Sequence, residues 1–408
     1  MNIGPMHIGP IWRALMRNKT GAVLIALQMA VTMAIMVNAI SIIQERSKAM
    51  ARSSGIDEPN IFTISSIGFA EDFNERQAIE EDLAALRALP GVVNAIQSNS
   101  VPLSGGGWSM GLQVEPGEEI EGTGVAVYFV DEHGLDTYDL KLVAGENFAP
   151  TDINWRAEAD NEWPDKALIT RAMAETLFPD DPDGALGKTV YINSDEPLTI
   201  TGIIERMQAA WNGWDGVERV MLVPSHTLFG STRYIVRTEP GRRDELMPQV
   251  EQLLAESNKD RIVRSMETMD AVRERSYRGD ASMVKMLNFT IILLLAVTSL
   301  GIVGLASFSV SRRTKQIGTR RALGASQGSI LRYFMTENLL ISSAGVVLGA
   351  ALTVGLNMLM VEIFDLARAP LYLVPLAMVI LLGVGQLAVL GPARKASAVP
   401  PAVATRTV

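Results

Sequence analysis

The residue types best suited to chemistry are a glycine–lysine–threonine stretch, several carboxylate runs and one loop dense in arginine. Gly184-Ala185-Leu186-Gly187-Lys188-Thr189 carries the lysine and threonine of a phosphate loop, in which backbone amides and the lysine cradle a nucleotide's phosphates. The first glycine of that motif falls at position 182, which is Pro182, and the stretch opens a strand pattern instead of a helix. No nucleotide site is expected there. Glu80, Glu81 and Asp82, and the run Asp180-Asp181-Pro182-Asp183, are read as solvated faces and turns. No serine stands in a G-x-S-x-G elbow. The three histidines (His7, His133, His226) are scattered, and there is no cysteine, which excludes thiolate zinc sites, cysteine nucleophiles and disulfides. Catalytic, metal and cofactor-binding residues are therefore all expected to be absent. Two glycine- or asparagine-flanked aromatic loops, Gly105-Gly106-Gly107-Trp108 and Trp211-Asn212-Gly213-Trp214, read either as loop packing or as a contact for a partner or substrate.

The arginine-dense stretch is 311–337, SRRTKQIGTRRALGASQGSILRYFMTE. Ile317, Ala322, Leu323, Ile330 and Phe334 give apolar positions interrupted by Gly318, Gly324 and Gly328. The pattern predicts two short helical pieces with a bend that glycine permits. A basic, partly apolar, bent loop has two uses: an anchor for anionic lipid, or a knob that docks into another protein.

The elements that must position this loop follow from composition. The chain has 408 residues, 48% hydrophobic and 20% charged, with net charge -9 and mean hydropathy +0.19. Charge is unevenly spread: residues 44–285 hold 42 acidic and 23 basic side chains, and the remainder 3 acidic and 13 basic. Four apolar runs, 20–43, 286–310, 338–363 and 371–391, each reach or exceed the roughly 20 residues needed to cross a bilayer. Arg13, Arg17 and Lys19 precede the first run, the arginines of 311–337 follow the second, and Arg394 and Lys395 follow the fourth. Short-loop positive charge thus places both termini (1–19 and 392–408) and the 311–337 loop in the cytoplasm, with 44–285 outside. The first run exceeds the apolar core of a cleaved leader, so a retained anchor is expected. Residues 11–17 suit a short amphipathic helix on the inner surface.

Within the spans, Gln28 and Thr32 lie one helical turn apart and are expected to bond to a neighbouring helix, while Gly345-x-x-x-Gly349 permits close helix contact within or between subunits. No charged residue lies near mid-span, apart from Glu362 at an outer edge, which disfavours ion-coupled transport. The 44–285 segment reads as an α/β domain. Strand–helix–strand patterns at 61–98 and 234–266 suggest a split ferredoxin-like core, with a strand-rich insertion at about 135–230. Residues 268–285 are helix-compatible and expected to extend the second span as a stalk.

Gly304, Arg312-Arg313-Thr314-Lys315-Gln316-Ile317-Gly318, Arg321-Ala322-Leu323-Gly324-Ala325, Ile330, Phe334 and Glu337 together resemble the FtsX-like permease domain of MacB-type ABC transporters. Ala185-Leu186-Gly187-Lys188-Thr189-Val190, with Ile200-Thr201-Gly202-Ile203-Ile204, is similar to the MacB-type extracytoplasmic domain. The resemblance implies a permease subunit of the bacterial inner membrane that pairs with a second copy or a related permease and rests on an ABC ATPase dimer. It implies a coupling helix at Ile317, Gly318, Arg320, Arg321, Ala322, Leu323, Gly324 and Ala325; Gln316 stands where the family often has an acidic residue. No Walker A motif occurs, so the ATPase, with its ATP and magnesium, is expected on a separate polypeptide. A periplasmic adaptor, an outer-membrane duct and membrane lipids are the other implied partners, and nucleic acid is not. Export of a substrate by transmitted motion is the leading expectation. Lipoprotein release, and signalling to a periplasmic partner, use the same architecture.

Overall fold

A computed structural model of the chain describes residues 19–160, 162–364 and 368–401. The amphipathic segment expected at 11–17 and the end of the tail lie outside those residues. The chain divides into two compact units, Met1–Met50 with Asp280–Val408, and Ala51–Gly279. The first helix, α1 (Lys19–Met50), is rich in Ala, Ile and Met and free of proline, so nothing interrupts its hydrogen-bond ladder.

The second unit holds two bodies. Its chain runs through β1 (Ile61–Gly68), α2 (Glu75–Ala88) and β2 (Val92–Gln97) before entering the insertion. There it forms β3 (Trp108–Gln113), β4 (Thr123–Val130), α3 (Gly134–Tyr138), β5 (Leu142–Gly145), β6 (Asn154–Ala157), β7 (Lys166–Thr170), α4 (Arg171–Leu177), β8 (Thr189–Ile192), β9 (Glu196–Ile204) and β10 (Val220–Leu228). It returns as β11 (Ser231–Thr238), α5 (Arg243–Ser257) and β12 (Arg261–Thr268). The first body is an antiparallel sheet in the order β12-β1-β11-β2, the split ferredoxin-like arrangement. α2 begins where Asn74 Oδ1 accepts from the Gln77 amide (3.1 Å), and it lays Ile79, Leu83 and Leu86 onto Phe62, Tyr234, Val250 and Leu254.

Asp82 sits on that same stripe. It is buried, pairs with buried Arg261, and accepts from the Tyr234 hydroxyl; Arg261 also donates to Leu254 O (2.9 Å). This corrects the expectation that Glu80, Glu81 and Asp82 form a solvated run: 79, 82, 83 and 86 share one helical face, and only the first two carboxylates point away from it.

The insertion departs from its expected limits as well. Its sheet follows the order β4-β3-β8-β9-β7-β10, and β4 pairs in parallel with β10, closing these strands into a ring around Val127, Phe129, Ile169, Ile200 and Val223. β3 and β4 precede residue 135, so the inserted body starts just after β2. Closure removes the exposed edges that a short open sheet would present.

After β12 the chain enters α6 (Met269–Arg312), whose first turns belong to the Ala51–Gly279 unit and whose remainder belongs to the other, followed there by α7 (Thr314–Ala322), α8 (Gln327–Phe364) and α9 (Leu373–Ser397). Together α1, α6, α8 and α9 are four helices long and apolar enough to cross a membrane. Gly345 and Gly349 of α8 face α1: a Cβ at Gly345 would lie 2.8 Å from Ala26 O, and one at Gly349 would lie 2.8 Å from Met33 Cβ and 3.1 Å from Ala30 Cα. The glycine pair therefore meets Ala26 and Ala30, themselves four residues apart, inside one subunit. Polar side chains complete the bundle. Gln28 Nε2 donates to Val297 O (3.1 Å), Thr32 and Thr298 share a hydroxyl hydrogen bond (2.9 Å), and Asn357 Nδ2 donates to Asn38 Oδ1 (3.2 Å). The first two are bonds from α1 to α6, the helix with the least buried apolar stretch of the four.

Candidate functional site: the α7 knob

α7 forms because Thr314–Ala322 contains no proline and places Ile317 and Gly318 on one side. Ile317 is buried against Ile330 and Phe334 of α8 and Ala393 and Ala396 of α9. Gly318, also buried, adds no side chain to that packed face. The helix stops in a double hydrogen bond: the Ala325 amide donates to Arg320 O (3.0 Å), and the Gly324 amide donates to Arg321 O (3.2 Å). This is the Schellman arrangement, which requires a left-handed residue, and Gly324 supplies it at φ +93°.

The eight residues expected to act as one coupling element thus separate into three sets. Ile317 and Gly318 face inward and anchor the knob. Arg320, Ala322, Leu323 and Gly324 are exposed, Leu323 at 83%. Arg321 and Ala325 are half-buried and joined to each other, Arg321 Nη1 donating to Ala325 O (3.0 Å), so Arg321 braces the cap. Arg320, exposed, lies over the Tyr333 ring of α8 (5.1 Å), which holds its guanidinium.

Two short helical pieces were expected between the second and third spans. The second is instead the continuous beginning of α8: Gly328 lies inside that helix, and only Gly324 makes a bend. The loop is pinned at its base by Arg313, whose Nη1 reaches both Glu337 oxygens (3.0 and 3.1 Å). Sequence reasoning named both residues without pairing them, although an arginine and a glutamate flanking one loop between spans were a usable signal.

An exposed leucine and an exposed arginine, on a short helix with a packed underside, offer shape and one cation to a protein surface. The knob holds no acid–base pair or nucleophile. No group of His, Asp and Glu residues able to hold a metal ion exists among the described residues.

The aromatic loops divide likewise. Trp108 stacks on Phe229 (5.3 Å) and meets Phe129 edge-on (5.5 Å), which is core packing. Trp211 and Trp214 meet edge-on at 6.0 Å in a loop whose Asn212 donates to Ser276 O (2.9 Å). The degenerate phosphate-loop stretch spans a short helical turn at Asp183–Ala185 and the start of β8; no helix follows Lys188-Thr189 to hold a phosphate at its N-terminus.

A family model described as MacB-like periplasmic core domain matches residues 22–253, and one described as FtsX-like permease C-terminal matches residues 288–401. The macrolide export ATP-binding/permease protein MacB of Chromobacterium violaceum is 26% identical over 228 residues, covering 53% of this chain and 33% of that protein. The chain thus aligns with about a third of the length of that relative. The uncharacterized ABC transporter permease YvrN of Bacillus subtilis is 24% identical over 294 residues, covering 69% of each chain. Among solved structures, the periplasmic region of MacB from Actinobacillus actinomycetemcomitans covers 56% of this chain and 97% of its own, at 17% identity and TM-score 0.34.

Proposed function

Since the chain belongs to the family of ABC transporter permeases that join a MacB-like periplasmic core domain to an FtsX-like permease region, we propose that it couples the motion of a separate ABC ATPase to movement of its own external domain. In this reading the α7 end of the bundle and both termini face the cytoplasm, the Ala51–Gly279 unit lies outside, and two permease copies or a related pair rest on two ATPases. The observation that carries the reading is α7 itself. Its underside is fixed by Ile317 and its outer face presents Leu323 and Arg320, so a push on the knob passes into α8 and α9 instead of being lost in a soft loop.

The work done is force transmission. α6 is one uninterrupted helix of 44 residues, stiff enough to carry a displacement along its length. Arg46 of α1 pairs with Asp280 of α6 (3.2 Å), and farther along α6 Arg273 pairs with Glu58 (2.7 Å) and donates to Arg52 O (2.6 Å). In this reading these ties make the chain that follows the first span move with the early part of α6. The substrate leaves from the external side, an export role in keeping with a relative named for macrolide export.

The test is an affinity pull-down of the full chain in mild detergent with identification of stoichiometric partners. Recovery of an ABC ATPase with the wild type, and its loss with Leu323→Asp at unchanged chain yield, is the expected result. No ATPase with either chain would overturn the proposal. An ATPase accompanied by a cell-wall hydrolase instead of an adaptor would move the role from export to signalling.

A further inference from the structure

A groove of about 370 Å³ opens in the membrane unit between the first turns of α1, the last turns of α6 and α8. Its walls are apolar: Ile25, Leu305 and Ile341 line it, and Leu24 and Phe308 stand exposed at its lips, at 52% and 56%. At one end the lining turns polar. Arg313 is occupied by Glu337, whereas the neighbouring Arg312 is exposed, rests on the Phe308 ring (4.8 Å), and has no carboxylate partner among the described residues. Lys19, exposed and also without a carboxylate partner among those residues, precedes Thr20 of the same lining. The groove is kept open partly by Gly21, where a Cβ would meet only Leu305 Cδ2, at 4.0 Å.

We propose that this groove is a binding site for one acidic phospholipid, an acyl chain lying between Leu24, Leu305 and Phe308 and its phosphate headgroup held by Arg312 and Lys19. An apolar channel open toward hydrocarbon is filled by a lipid tail at little cost, so the tail supplies fit and the headgroup supplies selection. Each cation near a membrane's polar boundary favours a negative headgroup several-fold, and two cations without carboxylate partners give roughly tenfold or more. Arg312 follows α6's apolar run and Lys19 precedes that of α1, which sets both at the depth of a headgroup. The site lies on the bundle wall beside α7, so an occupant there would also brace the Arg313–Glu337 base of the knob. The proposal rests on α1 and α6 crossing the membrane and not on which side α7 faces. A reversed topology would therefore leave it standing, and its own failure would leave the coupling role untouched.

The experiment is native mass spectrometry of the full chain in neutral detergent, titrated with phosphatidylglycerol or with phosphatidylcholine of the same acyl chains. The wild type is expected to retain one phosphatidylglycerol with at least tenfold preference. Arg312→Lys should keep that preference, Arg312→Glu should abolish it, and Gly21→Leu, which fills the groove while leaving both cations, should lower retention of both lipids. Equal retention of the two lipids by the wild type would overturn the proposal, as would unchanged binding in Gly21→Leu. Binding that appears only after removal of residues 1–18 would also overturn it, by showing that the chain's own segment occupies the groove.

Discussion

At the scale of single residues, the external unit is held by a few buried polar contacts whose removal has predictable signs. Asp82 and Arg261 are each nearly inaccessible, at 3% and 1% of their side-chain surface, with Tyr234 completing the network. Burial, with Asp82 alongside, pushes the Tyr234 hydroxyl well above its ordinary range, so it stays protonated and donates. Asp82→Asn strands a buried guanidinium and is expected to cost about 3–5 kcal/mol, measured as a lowered midpoint in thermal or denaturant unfolding of the full chain. His226 gives a pH dependence. It lies tilted against Trp155 at 4.6 Å, and burial holds its imidazole below the ordinary value of 6.5. The fold therefore favours the neutral ring. That contribution is complete above about pH 6.5 and is lost as pH falls toward the lowered folded value, because the unfolded chain then binds the extra proton. Replacing His226→Gln should flatten stability against pH in that window, and an unchanged profile would count against the assignment. Asp82 was legible in the sequence, since it falls on the stripe of Ile79, Leu83 and Leu86; the neighbouring Glu80 and Glu81 disguised it as part of a charged run.

At the scale of elements, the spans were the easiest feature to read, because an apolar run long enough to cross a bilayer needs no knowledge of its partners. The insertion was harder. β3 is short and carries Gly111, and its place in the sheet depends on pairing with β4 and with distant β8, information that no local pattern holds. The division of α7 into an anchored and an exposed side was hidden for a related reason. Nine residues are too few to show a clear helical period, and the burial of Ile317 is decided by Ala393 and Ala396, far along the chain.

Two element-level predictions follow from glycine geometry. Gly324→Ala forces a side chain into a left-handed cap at φ +93° and should destabilise α7 by about 1 kcal/mol, seen as faster hydrogen exchange at 320–326 with the spans unaffected. Gly349→Leu drives a side chain into the backbone of Ala30 and should cost about 1–3 kcal/mol, read as a lower unfolding midpoint of the detergent-solubilised chain. A neutral Gly349→Leu would mean that the α1–α8 contact is looser than the close approach of those two helices requires.

At the scale of the whole molecule, the chain pairs an acidic, polar-surfaced α/β unit with an apolar bundle whose positive charge gathers at one end. That division already pointed to a membrane protein carrying a water-exposed domain, and the comparisons place the chain among ABC transporter permeases of the MacB and FtsX type. What composition could not supply was the direction of work. A bundle without charged residues near mid-span has no evident route for a hydrophilic solute, and the proposed function instead assigns α6 and the α7 knob to carrying force. The central claim is that the exposed face of α7 is where an ATPase sits. The absence of native cysteine allows a direct measurement. Single Leu323→Cys and Ile120→Cys variants, the second at an exposed position of the external unit, would be treated in native membranes with a short thiol-to-amine crosslinker. The account predicts an adduct of an ATP-hydrolysing protein from position 323, strengthened by a non-hydrolysable ATP analogue, and none from position 120. No ATPase adduct from position 323, or equal adducts from both, would contradict it.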